Sequence, residues 1–289
     1  WGVSMKKERK KWLMGLIFLL GLGIFMYPNL TQIYAKISQY QIILSYNRQQ
    51  SEMSKEIKKI EMARIAEYNK SLIDNTVVYE DPFETNEAAT ETLKDKSSEK
   101  LGDPIGYIAI PKISVNVPIY NGTTDYILQK GIGLLEKSSM PVGGAGTHAA
   151  LTGHRGLPES KLFTDLDEMK IGDIFYIHSL AGTLAYEVES VETVLPHETE
   201  TLKIMDDRDL VTLITCTPYM INTHRILVRG ARITLDATKE PEPLTPTQKI
   251  ITTVDEKGPI LIWIFVGGIV ILVGSVVIWQ RRKKEGEKT

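Results

Sequence analysis

The sequence predicts a mainly β domain, an antiparallel barrel or sandwich over residues 104–236, carried on an N-terminal helical segment and flanked by two membrane segments. Three patterns carry this prediction. Short β-branched and aromatic runs recur between turn-forming residues from Pro104 onward. A stretch without Pro or Gly runs from Leu30 to Leu72. An apolar run stands beside a basic cluster near each end.

In chain order, Lys6, Lys7, Arg9, Lys10 and Lys11 form a basic tail over residues 1–11, and the apolar run Trp12–Tyr27 follows. That run is short and holds three glycines, which suits a signal-peptide core or a signal anchor; no convincing small-residue cleavage site follows it. Between residues 28 and 75, apolar residues recur at helical spacing (Ile33, Ile37, Tyr40, Leu44, then Met53, Ile57, Ile60), predicting one long helix or two. Residues 76–103 change character, with Glu80, Asp81, Glu84, Glu87 and Glu91 among small polar residues, and read as a mobile loop or linker.

Strands are predicted over Ile105–Pro111, Val115–Ile119, His148–Gly153, Ile174–His178, Leu184–Val194, Leu210–Cys216 and Arg225–Leu235, with helical insertions over Thr123–Leu135 and Ser160–Met169. Pro241, Pro243 and Pro246 make residues 237–258 a stiff spacer. Pro259–Trp279 carries no charged side chain and as a helix would reach about 30 Å, enough to cross a bilayer. Arg281, Arg282, Lys283 and Lys284 follow in the tail over 280–289. By the positive-inside rule both basic clusters are expected in the cytoplasm and everything between Pro28 and Lys257 outside, at the cell membrane.

Composition narrows the function classes. The chain has 289 residues, 43% of them hydrophobic, which is ample for a core. Its 34 basic and 36 acidic residues leave a formal net charge of -2, so nothing electrostatic points to nucleic acid as a partner.

Cys216 is the one cysteine, so it has no intramolecular disulfide partner, and an exported free thiol is exposed to oxidation without structural return. It ends a predicted strand, while Arg225 begins the next after the loop Thr217–His224. If the two strands are hairpin neighbours, the guanidinium enters the sheet where the thiol leaves it, able to favour a thiolate and to donate to an oxyanion. Amide cleavage also needs a group to protonate the leaving amine, and histidine titrates in the right range. His178 falls in a strand, His197 in a polar turn, His148 at a strand start, and alternation aims His224 away from Arg225. His154 stands just past a strand, near Gly153 and Gly156, and is the best-placed of the five.

Thr212-Leu-Ile-Thr-Cys216, Asn222-Thr-His-Arg225 and Leu151-Thr-Gly-His154-Arg-Gly resemble the three signature regions of sortases, in that family's order. The resemblance covers Pro104–Leu235, includes Phe163-Thr-Asp-Leu-Asp and the two-anchor layout, and is nearest to the pilin-polymerising class C. It implies an eight-stranded sortase barrel and a cysteine transpeptidase that cleaves a Leu-Pro-x-Thr-Gly-like sorting signal after its threonine through a thioacyl intermediate. The acyl group then passes to a lysine amine of another pilin subunit. On this reading Cys216 attacks, His154 is general acid and then base, Arg225 holds substrate and oxyanion, and no metal or cofactor is required.

Asp81-Pro82-Phe83 resembles the class C lid, which implies pairing of Asp81 with Arg225, a turn stiffened by Pro82, and Phe83 packed over the thiol. The alternative is a wall-attached surface or scaffolding protein without catalysis. A sortase substrate of that kind should carry the pentapeptide itself, and the nearest stretch, Leu244-Thr-Pro-Thr-Gln248, does not match it. A papain-like protease would ordinarily need an Asn or Asp to orient its histidine.

Overall fold

A computed structural model of the chain describes residues 2–73, 79, 81–83 and 101–234. The spacer and the second apolar segment expected over 237–279 lie outside these residues, as does most of the acidic stretch 84–100.

Two helices lead into the domain. α1 spans Gly2–Glu52 and α2 spans Lys55–Ile73, so the Pro- and Gly-free stretch forms parts of two helices. They meet at Met53-Ser54, where Ser54 Oγ accepts from the Ile57 amide and caps α2. Along α1 the side chains of Ile17, Phe18, Leu19, Leu20, Ile24 and Phe25 are exposed. From Ile17 the helix is long and apolar enough to cross a membrane.

Its C-terminal half docks on the domain. Ile43 and Tyr46 bury against Tyr107, and Gln39 Nε2 donates to Ser160 Oγ at 3.1 Å. α2 is fastened by Asn69, whose amide group donates to the Met140 carbonyl (3.2 Å) and accepts from the Met140 amide (2.8 Å), as a neighbouring strand would.

The domain is a closed barrel of eight strands: β1 Gly106–Ile110, β2 Val115–Asn121, β3 Ile132–Leu134, β4 Thr147–Thr152, β5 Ile174–Ser179, β6 Gly182–Val194, β7 Asp209–Thr217 and β8 His224–Ile233. Around the barrel the order is β1-β2-β3-β4-β7-β8-β6-β5. Six neighbouring pairs are antiparallel, and β2/β3 and β4/β7 are parallel. Closure leaves no open edge. Alternating residues such as Ile108, Ile119, Leu151, Phe175, Leu213 and Val228 fill the interior.

Two expected helices are corrected. Within Thr123–Leu135 only Asp125–Leu128 is helical (α3), capped by Thr124, and the remainder supplies β3. Three residues are too few for a strand's alternation to show in sequence. Ser160–Met169 is mostly turns with one 3₁₀ turn at Leu166–Glu168. Leu162, Phe163, Leu166 and Met169 all bury their side chains in the barrel core, and Leu162 takes a positive φ that breaks a helix.

The outer face of β4, β7 and β8 positions the site. With Val211, Leu213, Ile226 and Val228 in the core, alternation sends Thr212, Ile214 and Cys216 outward beside Arg225, Leu227 and Arg229. A smaller apolar cluster covers this face: Tyr79, Leu135, Ala150, Leu202, Ile214 and Leu227, with Phe83 and Val194 against it.

Candidate active site

Cys216 and Arg225 are Cα partners across the β7/β8 hairpin. β4 lies parallel on the other side of β7, with Thr152 opposite Ile214. His154 is two residues beyond Thr152 and Cys216 two beyond Ile214, so both lie at the same end of the barrel. The approach is tied at Gly153, whose amide donates to the Ile214 carbonyl (3.0 Å) and whose carbonyl accepts from Thr215 Oγ1 (2.7 Å). A Cβ on Gly153 would sit 2.5 Å from Ile132 Cδ1 and 2.8 Å from Phe163 Cδ2, so only glycine brings the chain this close.

Arg225 is 5% exposed. Its Nη1 donates to the carbonyls of Asn222 (2.8 Å) and His224 (2.9 Å), which aims the guanidinium plane. Its other edge meets Asp81 in a two-pronged pair: Nε donates to Oδ1 at 2.8 Å, and Nη2 donates to Oδ2. Both side chains of this pair are nearly fully buried. The Phe83 ring packs against both His154 and Arg225, its centroid 5.5 Å from that of the His154 ring and 5.2 Å from the Arg225 guanidinium carbon. Pro82 and Asp81 also line a cleft with Leu195, Thr199, Leu202 and Ile214, between the segment and the loop after β6.

The electrostatics follow from this cover. Burial pushes the Cys216 thiol up to about 11; Arg225 pulls it down, Asp81 pushes it back up, and Arg155 pulls it down again. Burial also lowers His154 below the usual imidazole value, against a raising effect of Asp125. Both shifts favour the neutral forms, the thiol of Cys216 and the uncharged imidazole of His154.

The remaining histidines have other settings. His148 is buried, its ring bridging the Lys203 carbonyl (2.9 Å) and Thr212 Oγ1 (2.7 Å), and burial depresses it to about 4. His178 stacks on Tyr107 with centroids 4.2 Å apart. His197 is exposed, and His224 is half-buried beside Thr223 Oγ1.

Two features escaped the sequence reading. Tyr79, two residues before Asp81, is buried in the outer apolar cluster; an aromatic in a polar stretch was the available signal. Arg155, within a motif already singled out, bonds to Thr217 beside the thiol. Among the described residues, no group of three or more His, Cys, Asp or Glu side chains is arranged to hold a metal ion.

Comparison with known proteins agrees with the fold. The sortase domain family matches residues 108–233. Sortase C1 of group B Streptococcus pilus island 1 superposes with a TM-score of 0.62 and 36% identity, covering 71% of this chain and 96% of that one. Clostridium perfringens sortase C, solved with the C-terminal cell wall sorting motif, gives 0.57 and 43%, covering 68% and 100%. Sortase A of Bacillus anthracis is 31% identical over 137 residues, 47% of this chain and 62% of that protein, so the match spans under two thirds of this relative's length. The chain belongs to the sortase family of cysteine transpeptidases.

Proposed function

We propose that this chain is a pilin-polymerising sortase. It cleaves a Leu-Pro-x-Thr-Gly-like sorting signal after the threonine and joins the acyl group to a lysine amine of a pilin subunit. The observation that carries this reading is the thiol and guanidinium paired across β7/β8, with His154 at the same end of the barrel and Asp81-Pro82-Phe83 seated on them. The pilus-island origin of one solved relative and the cell wall sorting motif with which another was solved support the substrate class.

The chemistry begins with the Cys216 thiol and a neutral His154. As sulfur attacks the threonine carbonyl, the thiol proton passes to His154, and Arg225 stabilises the oxyanion. Collapse breaks the C–N bond, and the imidazolium protonates the departing glycine amine. The lysine amine attacks the thioacyl carbon and yields its proton to His154, which returns it to the thiolate when the isopeptide forms. Each turnover restores the starting protonation.

Asp81, Pro82 and Phe83 act as a lid that must leave first, since Asp81 occupies the Arg225 donors that the oxyanion needs. The apolar N-terminal part of α1 anchors the enzyme in the cell membrane, with the barrel outside, both basic tails in the cytoplasm and Pro259–Trp279 as a second anchor.

The test is full-length Asp81→Ala protein in detergent, incubated with a pilin carrying a sorting signal. Covalent ladders are expected, and they vanish when Cys216→Ala is added. Ladders that persist without the thiol would overturn the assignment.

A further inference from the structure

The last backbone bond described between β4 and β7 runs from the Gly153 amide to the Ile214 carbonyl. His154 and Cys216 both lie beyond it, where the sheet no longer sets their separation. Past that backbone bond, Thr215 Oγ1 donates to the Gly153 carbonyl at 2.7 Å, and the cross-link beyond it is Arg155. Its Nη1 donates to Thr217 Oγ1 at 2.9 Å, its Nε to the Thr164 carbonyl at 3.1 Å, and its Nη2 to Asp167 Oδ2 at 2.6 Å. Thr217 ends β7 beside Cys216, while Thr164 and Asp167 belong to the long connection that leaves His154. One guanidinium therefore spans from the histidine's segment to the thiol's strand end.

The ion pair with Asp167 does not explain this arrangement as a stabilising device. Asp167 is half exposed whereas Arg155 is about one-tenth exposed, and exposed pairs contribute little. The inner bonds, to a strand-end hydroxyl and a backbone carbonyl, fix geometry. A planar fork serves three acceptors in different directions, which the compact ammonium of lysine does not reproduce. The connection is braced in the same place: the Phe163 amide donates to the His154 carbonyl, and the Gly156 amide donates to Thr164 Oγ1. Gly156 itself has φ +84°, and its Cα faces the Tyr219 ring of the β7–β8 loop so closely that a Cβ would lie 2.7 Å from it.

We propose that Arg155 is a positioning residue for the Cys216–His154 pair, a strut that sets the spacing between the segment carrying the histidine and the strand end carrying the thiol. The role rests on the sortase reading above. Its charge also bears on the sulfur. The charged groups that act on Cys216 are Arg225 from β8, Asp81 from the lid, and Arg155, with His154 at the same end of the barrel past β4. Arg155, paired with the half-exposed Asp167, is a second and weaker cation after Arg225 that favours the thiolate.

Strut and charge separate experimentally in full-length Asp81→Ala protein, with turnover of a sorting-signal peptide and the pH profile of Cys216 alkylation by iodoacetamide as readouts. Arg155→Met is expected to lower kcat roughly tenfold to a hundredfold at little change in KM, and to move the alkylation midpoint upward. Arg155→Lys keeps the charge, so the midpoint stays while kcat remains low. Thr217→Val, which removes only the acceptor beside Cys216, should match Arg155→Lys on both readouts. Full kcat in Arg155→Lys or Thr217→Val would overturn the strut. An unmoved midpoint in Arg155→Met would overturn the electrostatic part. If the Asp81→Ala parent turns over no peptide, the transpeptidase reading fails; the strut is then judged by whether Thr217→Val alters the rate of thiol alkylation, and an unaltered rate overturns it.

Discussion

Two rows of side chains cross the outer face of β4, β7 and β8, built from the same kinds of residue and left in opposite states. The inner row holds His148, Thr212 and Arg229; the end row holds His154, Cys216 and Arg225. Thr212 faces Arg229 across the hairpin as Cys216 faces Arg225. In the inner row every partner belongs to the barrel domain: His148 bridges Thr212 and the Lys203 carbonyl, and Arg229 Nε donates to Glu189 (2.8 Å), which Arg208 also pairs. In the end row the carboxylate partner is Asp81, on a segment outside the barrel strands and 144 residues away in sequence from Arg225. An arginine whose carboxylate comes from its own sheet is spent on structure. One whose carboxylate comes from a segment outside the barrel can, on the proposed lid reading, exchange it for substrate, and the end row also has a thiol where the inner row has a hydroxyl.

The sharpest way to break the comparison is to remove the reactive atom. Cys216→Ala should abolish peptide cleavage in an Asp81→Ala background without lowering Tm, and residual cleavage would count against the end row as the site. Next come the two arginines. Arg225→Lys should lower kcat on the order of a hundredfold by losing aimed oxyanion donors, with little loss of stability. Arg229→Lys should leave kcat nearly intact and show its defect as a lower Tm. Equal kinetic effects would erase the distinction.

The carboxylates divide in the same way. Asp81→Ala removes a group that raises the thiol and the cover that buries it, so Cys216 should react faster with a thiol reagent at neutral pH. Glu189→Ala leaves Arg208 and Arg229 short of a partner and should cost about 1–3 kcal/mol of stability with labelling unchanged. Identical labelling in Asp81→Ala and wild type would deny the lid.

The smallest effect is acid sensitivity from the inner row. His148 titrates near 4 in the fold and near 6.5 when unfolded. The unfolded chain therefore binds the extra proton first, and stability present above about 6.5 is lost as pH falls toward 4. His148→Gln should flatten that slope in urea melts taken across this range, and an unchanged slope would point to other groups.

How much of this was legible in the sequence depended on length and on repeat pattern. Seven strands showed themselves through β-branched alternation, and the thiol, guanidinium and imidazole stood out by residue type and by their places at strand ends. β3 did not, because three residues carry no period, and its neighbour α3 lent the whole stretch a helical look. The turns around Leu162 and Phe163 look amphipathic because one end of the barrel needs plugging, a demand set by tertiary packing. Glu189 sits at the register shift between Val188 and Ser190, and the bulge that lets its carboxylate reach Arg229 leaves no mark in composition. Asp81 was legible only through family resemblance, since nothing in an acidic stretch distinguishes the one carboxylate that meets Arg225.

The most direct test of the central claim is to trap the acyl group. Asp81→Ala protein mixed with a sorting-signal peptide, quenched in acid and digested, should yield the Cys216 peptide heavier by the acyl fragment ending in threonine. The mass should disappear on adding an amine acceptor or with His154→Ala. Cleaved peptide accumulating with Cys216 never modified would contradict the account.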